Sequence, residues 1–95
     1  MFVSTLTHVV DLARIEEALP DHVAWLDRQY ADGATLLSGR QDPRVGGVIL
    51  WRSMARADVE ARVAEDPFVA RGLATVGIVE FRPTKVAPGL ESLIE

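Results

Sequence analysis

The chain has 95 residues, 14 acidic and 10 basic, for a net charge of −4 and a pI of about 5.1. The basic residues are scattered singly, which argues against nucleic acid and anionic membrane surfaces as partners. Cysteine is absent, which removes disulfides, thiolate nucleophiles and cysteine-ligated metal sites and fits a cytoplasmic location.

No apolar run approaches the ~20 residues of a membrane span, and the opening MFVSTLTHVV lacks the basic start and long apolar core of a signal peptide. One domain is the natural reading of this length. A chain this short buries roughly 60–65% of its unfolded surface, yet 48% of its residues are apolar and its mean hydropathy is +0.13. Some of that surface is therefore expected to be buried against a second copy.

In chain order, FVSTLTHVV is β-branched and apolar and predicts a strand. DLARIEEAL predicts a loop or irregular turn. Pro20 suits the first position of a helix, Asp21 its positive N-terminus and Gly33 a left-handed end, so a helix is expected from Pro20 to about Asp32. ATLLSG predicts a second strand, RQDPRVGG a turn-rich loop and VILWR a third strand. Ser53 can cap a second helix, with Ala55, Val59 and Val63 on its inner side. Pro67 ends that helix within EDPFVARG and allows a further short turn, ATVGIVEFRP predicts the fourth strand, and TKVAPGLESLIE reads as a tail.

The order β-α-β-β-α-β is the split arrangement of ferredoxin-like α+β domains: a four-stranded antiparallel sheet with two helices on one face. Strands three and four are apolar on both faces, and the helices cover only one. The other is expected to pack against a second sheet in a homodimer.

His22 is the first candidate for chemistry. On a helical projection at ~100° per residue, Leu26, Tyr30 and Val23 lie to one side of it and Gln29 and Trp25 to the other. The charges of Asp21, Asp27 and Arg28 face away. A polar ring there needs a hydrogen-bond partner; it is either a satisfied core histidine or the wall of a cavity. Placement in the first helical turn, together with burial, would keep the ring neutral and available as a general base. Asp66, just before Pro67, is either an ordinary turn residue or a partner for such a base. His8 shares a strand face with Phe2, Leu6 and Val10, and points either into the same cavity or to a wet strand end.

In SGRQDPRVGG, Gly46-Gly47 suggests close backbone approach, and Arg40 and Arg44 are candidates to hold an anionic substrate. Ser38 is a candidate contact but a poor nucleophile, since nothing local supplies a base. Trp25 and Phe68 are candidate lining groups whose ordinary alternative, shared by Trp51, is core or interface. Two isolated histidines without clustered carboxylates give no metal-ligand spacing, so no metal is expected.

Taken in order, HVAWLDRQYADGATLLSG with His22 and Gly33, Pro43 with GG, DPFVARG with Asp66, and VEFRP make the sequence resemble the YciI-like (YCII-related) proteins across about residues 1–85. The resemblance implies a ferredoxin-like domain over 1–85 that dimerises through its sheets as a dimeric α+β barrel, with 86–95 as a C-terminal tail. It also implies a His–Asp pair in a cleft, which maps to His22 and Asp66. Related members act as dehydrochlorinases, and muconolactone isomerases share the superfamily fold.

Two functions follow as expectations. One is a cofactor-independent enzyme using His22 and Asp66 for acid/base chemistry on a small cyclic or carbonyl substrate, with His8, Trp25, Ser38, Arg40 and Phe68 lining its site. The other is a non-catalytic homodimeric binding or scaffolding module in which the His–Asp contact is structural.

Overall fold

Alternation along the first strand puts Phe2, Ser4, Leu6 and His8 on one side and Val3, Thr5 and Thr7 on the other. The computed structural model describes residues 1–94. Its elements are β1 (Phe2–His8), α1 (Leu12–Ala31), β2 (Thr35–Arg40), β3 (Gly46–Trp51), α2 (Arg56–Ala64), α3 (Pro67–Ala70) and β4 (Ala74–Glu80). A 3₁₀ turn spans Glu91–Leu93 in the expected tail; Glu95 lies outside the described residues. The strands form one antiparallel sheet in the order β2-β3-β1-β4. This is the ferredoxin-like α+β arrangement.

Two tryptophans organise the layer between sheet and helices. Trp25 of α1 and Trp51 of β3 are both fully buried and meet edge to face with ring centroids 6.0 Å apart. A buried indole N–H needs an acceptor. Trp25 Nε1 donates to the Arg62 carbonyl at 3.0 Å, which ties α1 to α2, and Trp51 Nε1 donates to Ser4 Oγ at 2.9 Å. Phe2, Ile49, Val59 and Val63 pack around the pair. Ile15, Ala18, Phe68, Leu73 and Ala74 form a second cluster beside it.

The structure corrects several boundaries. Residues 12–19 are helix, not loop: Asp11 is the N-cap, its side chain accepting from the Arg14 amide, and Ile15 and Ala18 are buried. Pro20 is therefore inside α1, where it has no N–H to give the Glu16 carbonyl. Gln29, bonded to the Trp25 carbonyl and to Arg62, is buried in the helix seam, whereas Val23 and Tyr30 are 44% and 39% exposed. Ser53 does not cap α2. Its hydroxyl accepts instead from the Met1 amino group, and the N-cap is Ala55, which is exposed and caps with no side chain. β3 begins two residues before Val48, at Gly46, and ends before Arg52; β1 and β4 stop at His8 and Glu80.

Two glycines have conformational reasons. Gly33, with φ of +72°, turns the chain at the end of α1. Gly46 passes so close to β1 that a Cβ would run into the Leu6 carbonyl oxygen.

A proline inside a helix costs about 3 kcal/mol relative to alanine, offset in part by its stiffening of the unfolded chain, about 0.4–1 kcal/mol. Pro20→Ala is therefore expected to stabilise the fold by about 2 kcal/mol. Urea denaturation checks this: an unchanged or lower midpoint would mean that α1 has relaxed around the ring at no cost.

Candidate functional site

The Asp66-Pro67 step starts a new helix within two residues of the end of α2. Asp66 is the N-cap of α3 and Pro67 its first residue, a position where the missing N–H is no loss. Asp66 Oδ1 accepts from the Phe68 amide at 3.0 Å. The same oxygen lies 2.8 Å from His22 Nδ1 on α1. The Asp66 side chain is 2% exposed and that of His22 17%, so the carboxylate is held inside the fold by two N–H groups from different helices. A buried carboxylate is tolerated only with such partners.

His22 sits in the middle of the 20-residue α1, not in a first turn. The expected effect of the helix terminus on its charge is therefore absent, since it fades beyond the first and last turns. Asp66 accepts hydrogen bonds, so Nδ1 is the protonated nitrogen, and in the neutral ring Nε2 is a free acceptor. Among the described residues Nε2 has no protein partner. The imidazole is clamped in plane as well. Phe68 stacks on it with centroids 4.2 Å apart and planes 9° from parallel, and Trp25 flanks it at 5.7 Å.

A cavity of about 190 Å³ opens beside this pair. His8, His22, Trp25, Ser38, Arg40, Arg44, Asp66 and Phe68, all singled out from the sequence, line it. Their contributions differ. Trp25 offers only ring surface, because its N–H is taken by Arg62. Ser38 shares a 2.7 Å hydrogen bond with the Tyr30 hydroxyl. His8 meets the edge of Phe68 at 6.1 Å, so Phe68 touches both imidazoles. Arg40 and Arg44 come from the β2–β3 hairpin, which includes a cis Asp42–Pro43 bond.

Ile15 and Leu19 also line the cavity. The expectation of a loop over 11–19 hides them, although Ile15 and Leu19 stand seven and three residues before His22, in phase with it. Among the described residues no group of three or more His, Asp and Glu side chains comes together to hold a metal. No helix of those residues is long and apolar enough to cross a membrane.

A ferredoxin-like domain with a His–Asp pair lining a cavity is the class of protein that fold and site define. The family model for the YCII-related domain matches residues 1–82, and the chain belongs to that family. A comparison with curated proteins finds no match. Among solved structures the chain is similar to the 5-chloro-2-hydroxyhydroquinone dehydrochlorinase TftG from Burkholderia phenoliruptrix AC1100, in complex with 2,5-dihydroxybenzoquinone. The TM-score is 0.71 at 16% identity, covering 85% of this chain and 92% of that one. At that identity the likeness establishes the fold.

Burial lowers the pKa of His8 below its ordinary 6.5, and the charges of Arg44 and His22 lower it further. The folded state thus binds a proton at His8 less readily than the unfolded state. Its contribution to stability is complete above pH 6.5, falls as the pH is lowered through that value, and levels off below the folded-state value. Arg44→Gln is expected to move the His8 midpoint up toward 6.5 without reaching it, because burial is the larger cause. NMR titration of the His8 ring checks this, and an unmoved midpoint would mean that the guanidinium field does not reach the ring.

Proposed function

We propose that this protein is a cofactor-independent enzyme in which His22 Nε2 is the general acid/base and Asp66 holds its tautomer and orientation. The observation that carries the reading is the doubly bonded, buried Asp66 oxygen at Nδ1, which leaves Nε2 as the basic atom beside a cavity. A base so placed takes a proton from carbon next to a carbonyl, and the electron pair moves into the carbonyl as an enolate. Returning that proton at another carbon completes an isomerisation; loss of a neighbouring leaving group such as chloride completes an elimination. Membership of the YCII-related family and the fold shared with a dehydrochlorinase support this class of chemistry on a small cyclic or carbonyl substrate. His8, Trp25, Ser38, Arg40 and Phe68 form the substrate's surroundings.

The second reading, a structural His–Asp contact in a binding or scaffolding module, is favoured by one observation: Asp66 also caps α3. The substitution Asp66→Asn separates the two. Asparagine caps as well as aspartate, but its amide N–H can donate to Nδ1 and reverse the imidazole tautomer. On a panel of small ring and carbonyl compounds beginning with 5-chloro-2-hydroxyhydroquinone, Asp66→Asn and His22→Ala are expected to lower turnover by about 10²–10⁴-fold. Asp66→Asn is expected to keep most of the thermal stability. A stable Asp66→Asn protein with undiminished turnover would remove the acid/base reading. No turnover by the wild type, together with a large stability loss in His22→Ala, would favour the module.

The working form in this proposal is a homodimer joined through the sheet faces. Leu37, Leu50, Val3 and Val79 stand in one row across all four strands on the side away from the helices. Leu37 and Val79 are 58% and 62% exposed. A row of this kind suits face-to-face packing with a second sheet. Light scattering after size exclusion is expected to give a dimer for the wild type and a monomer for the double variant Leu37→Glu with Val79→Glu. A monomeric wild type would overturn this part of the proposal.

A further inference from the structure

The cavity has two chemically different sides. The helix side carries the His22–Asp66 pair, with the carboxylate already engaged. The hairpin side carries two guanidinium groups, Arg40 at the end of β2 and Arg44 in the loop before β3. Arg44 gives one N–H to Glu16 of α1, at 3.1 Å, and a guanidinium has five. Among the described residues Arg40 has no ion-pair partner. His8, whose backbone N–H donates to the Val45 carbonyl, completes this side next to Arg44. The cationic groups of the lining are thus gathered on the hairpin side, Arg44 ion-paired to Glu16 with N–H groups to spare and Arg40 without an ion-pair partner among the described residues. The only carboxylate among the lining residues, Asp66, is turned to His22 and the α3 amide.

Size narrows the ligand further. A cavity of about 190 Å³ is slightly larger than the ~150 Å³ space that holds one benzene ring in an engineered apolar site, and well below the 300–1,000 Å³ of pockets for drug-sized ligands. It takes one ring and a small substituent. The floor suits a flat molecule, with apolar Leu6, Ile15 and Leu19 beside the stacked His22 and Phe68.

We propose that Arg44 and Arg40 form an anion-anchoring subsite, so that the enzyme takes single-ring monoanions, carboxylates or ring-borne enolates, whose charge is held on the hairpin side while a ring carbon or substituent faces His22 Nε2. This deepens, and rests on, the reading of the cavity as a substrate site. The guanidinium fork matches the two oxygens of a carboxylate, and charge-assisted bonds of that kind discriminate strongly against a neutral amide of the same shape. The protein's negative exterior does not prevent this, because opposite charges act at cleft range while distant ones are screened beyond a Debye length.

Calorimetric titration of the whole protein with benzoate and with its neutral isostere benzamide tests the subsite without any turnover. The wild type is expected to bind benzoate about tenfold or more tightly than benzamide. Arg44→Gln is expected to remove most of that preference and Arg40→Gln part of it, with benzamide affinity unchanged as the sign that the cavity is intact. His22→Ala is expected to retain the benzoate preference, so failure of the acid/base reading and failure of the anion subsite give different patterns. Equal affinity for the two probes, benzoate affinity indifferent to Arg44→Gln, or no saturable benzoate binding at millimolar concentration would each overturn the proposal.

Discussion

One carboxylate oxygen, Asp66 Oδ1, sets the geometry of this molecule where it matters. It starts α3 by accepting from the Phe68 amide and fixes His22 by accepting from Nδ1. It thereby also determines which aromatic ring lies on the imidazole, since the residue whose amide it binds is the one that stacks there. A cap, a tautomer and a ring stack are thus enforced by the same atom. Such a group is expensive to bury and inexpensive to keep once its partners are present. The cap and the imidazole contact therefore share one anchor, and each N–H offsets part of the cost of burying it.

The remainder of the fold holds the three helices in the positions this atom requires. α1 must present His22 to an aspartate 44 positions away, and α2 must deliver that aspartate. The two are joined by Trp25 Nε1 bonding to the Arg62 carbonyl, four residues before Asp66. Arg62 in turn reaches back to Gln29 and Asp32 near the end of α1. These bonds lie on the seam between the helices, and Trp51 beneath them ties the helix layer to the sheet. The tryptophans are too large and too polar at one edge to be interchangeable fillers. Each has a single acceptor, and each acceptor belongs to a different element.

The strands were legible because period-two alternation survives even where both faces are apolar; only their ends moved, by up to three residues. The start of α1 was not, because Pro20 is a strong local signal for a helix beginning and outweighed a weaker, longer-range one. Ile15, Ala18, His22, Trp25 and Gln29 recur at intervals of three and four, and Asp11 precedes them as a cap. That pattern was present in the sequence, and tertiary burial decided in its favour. Ser53 differs from expectation for a related reason: a hydroxyl in the right place caps only if nothing else claims it, and the Met1 amino group does. The pairing of His22 with Asp66 has no local signature. Periodicity cannot bring two elements together, and only resemblance to a family pointed to it.

Because α1 starts at Leu12, its N-terminus lies far from His22. A ring in the first turn would owe its neutrality to the helix terminus; a ring in mid-helix owes nothing to it. What remains is local: the Asp66 carboxylate at Nδ1 and the rings of Phe68 and Trp25 around the imidazole. His8 meets a different balance in the same cavity, with burial, Arg44 and His22 all acting against its proton and no carboxylate opposing them. Two imidazoles within reach of one phenyl ring thus have different neighbours, and Asp66 touches only one of them. In a site this small the difference is one of geometry: the ring backed by Asp66 has its Nδ1 committed, whereas His8 has no such partner among the described residues and burial holds its pKa below the ordinary value.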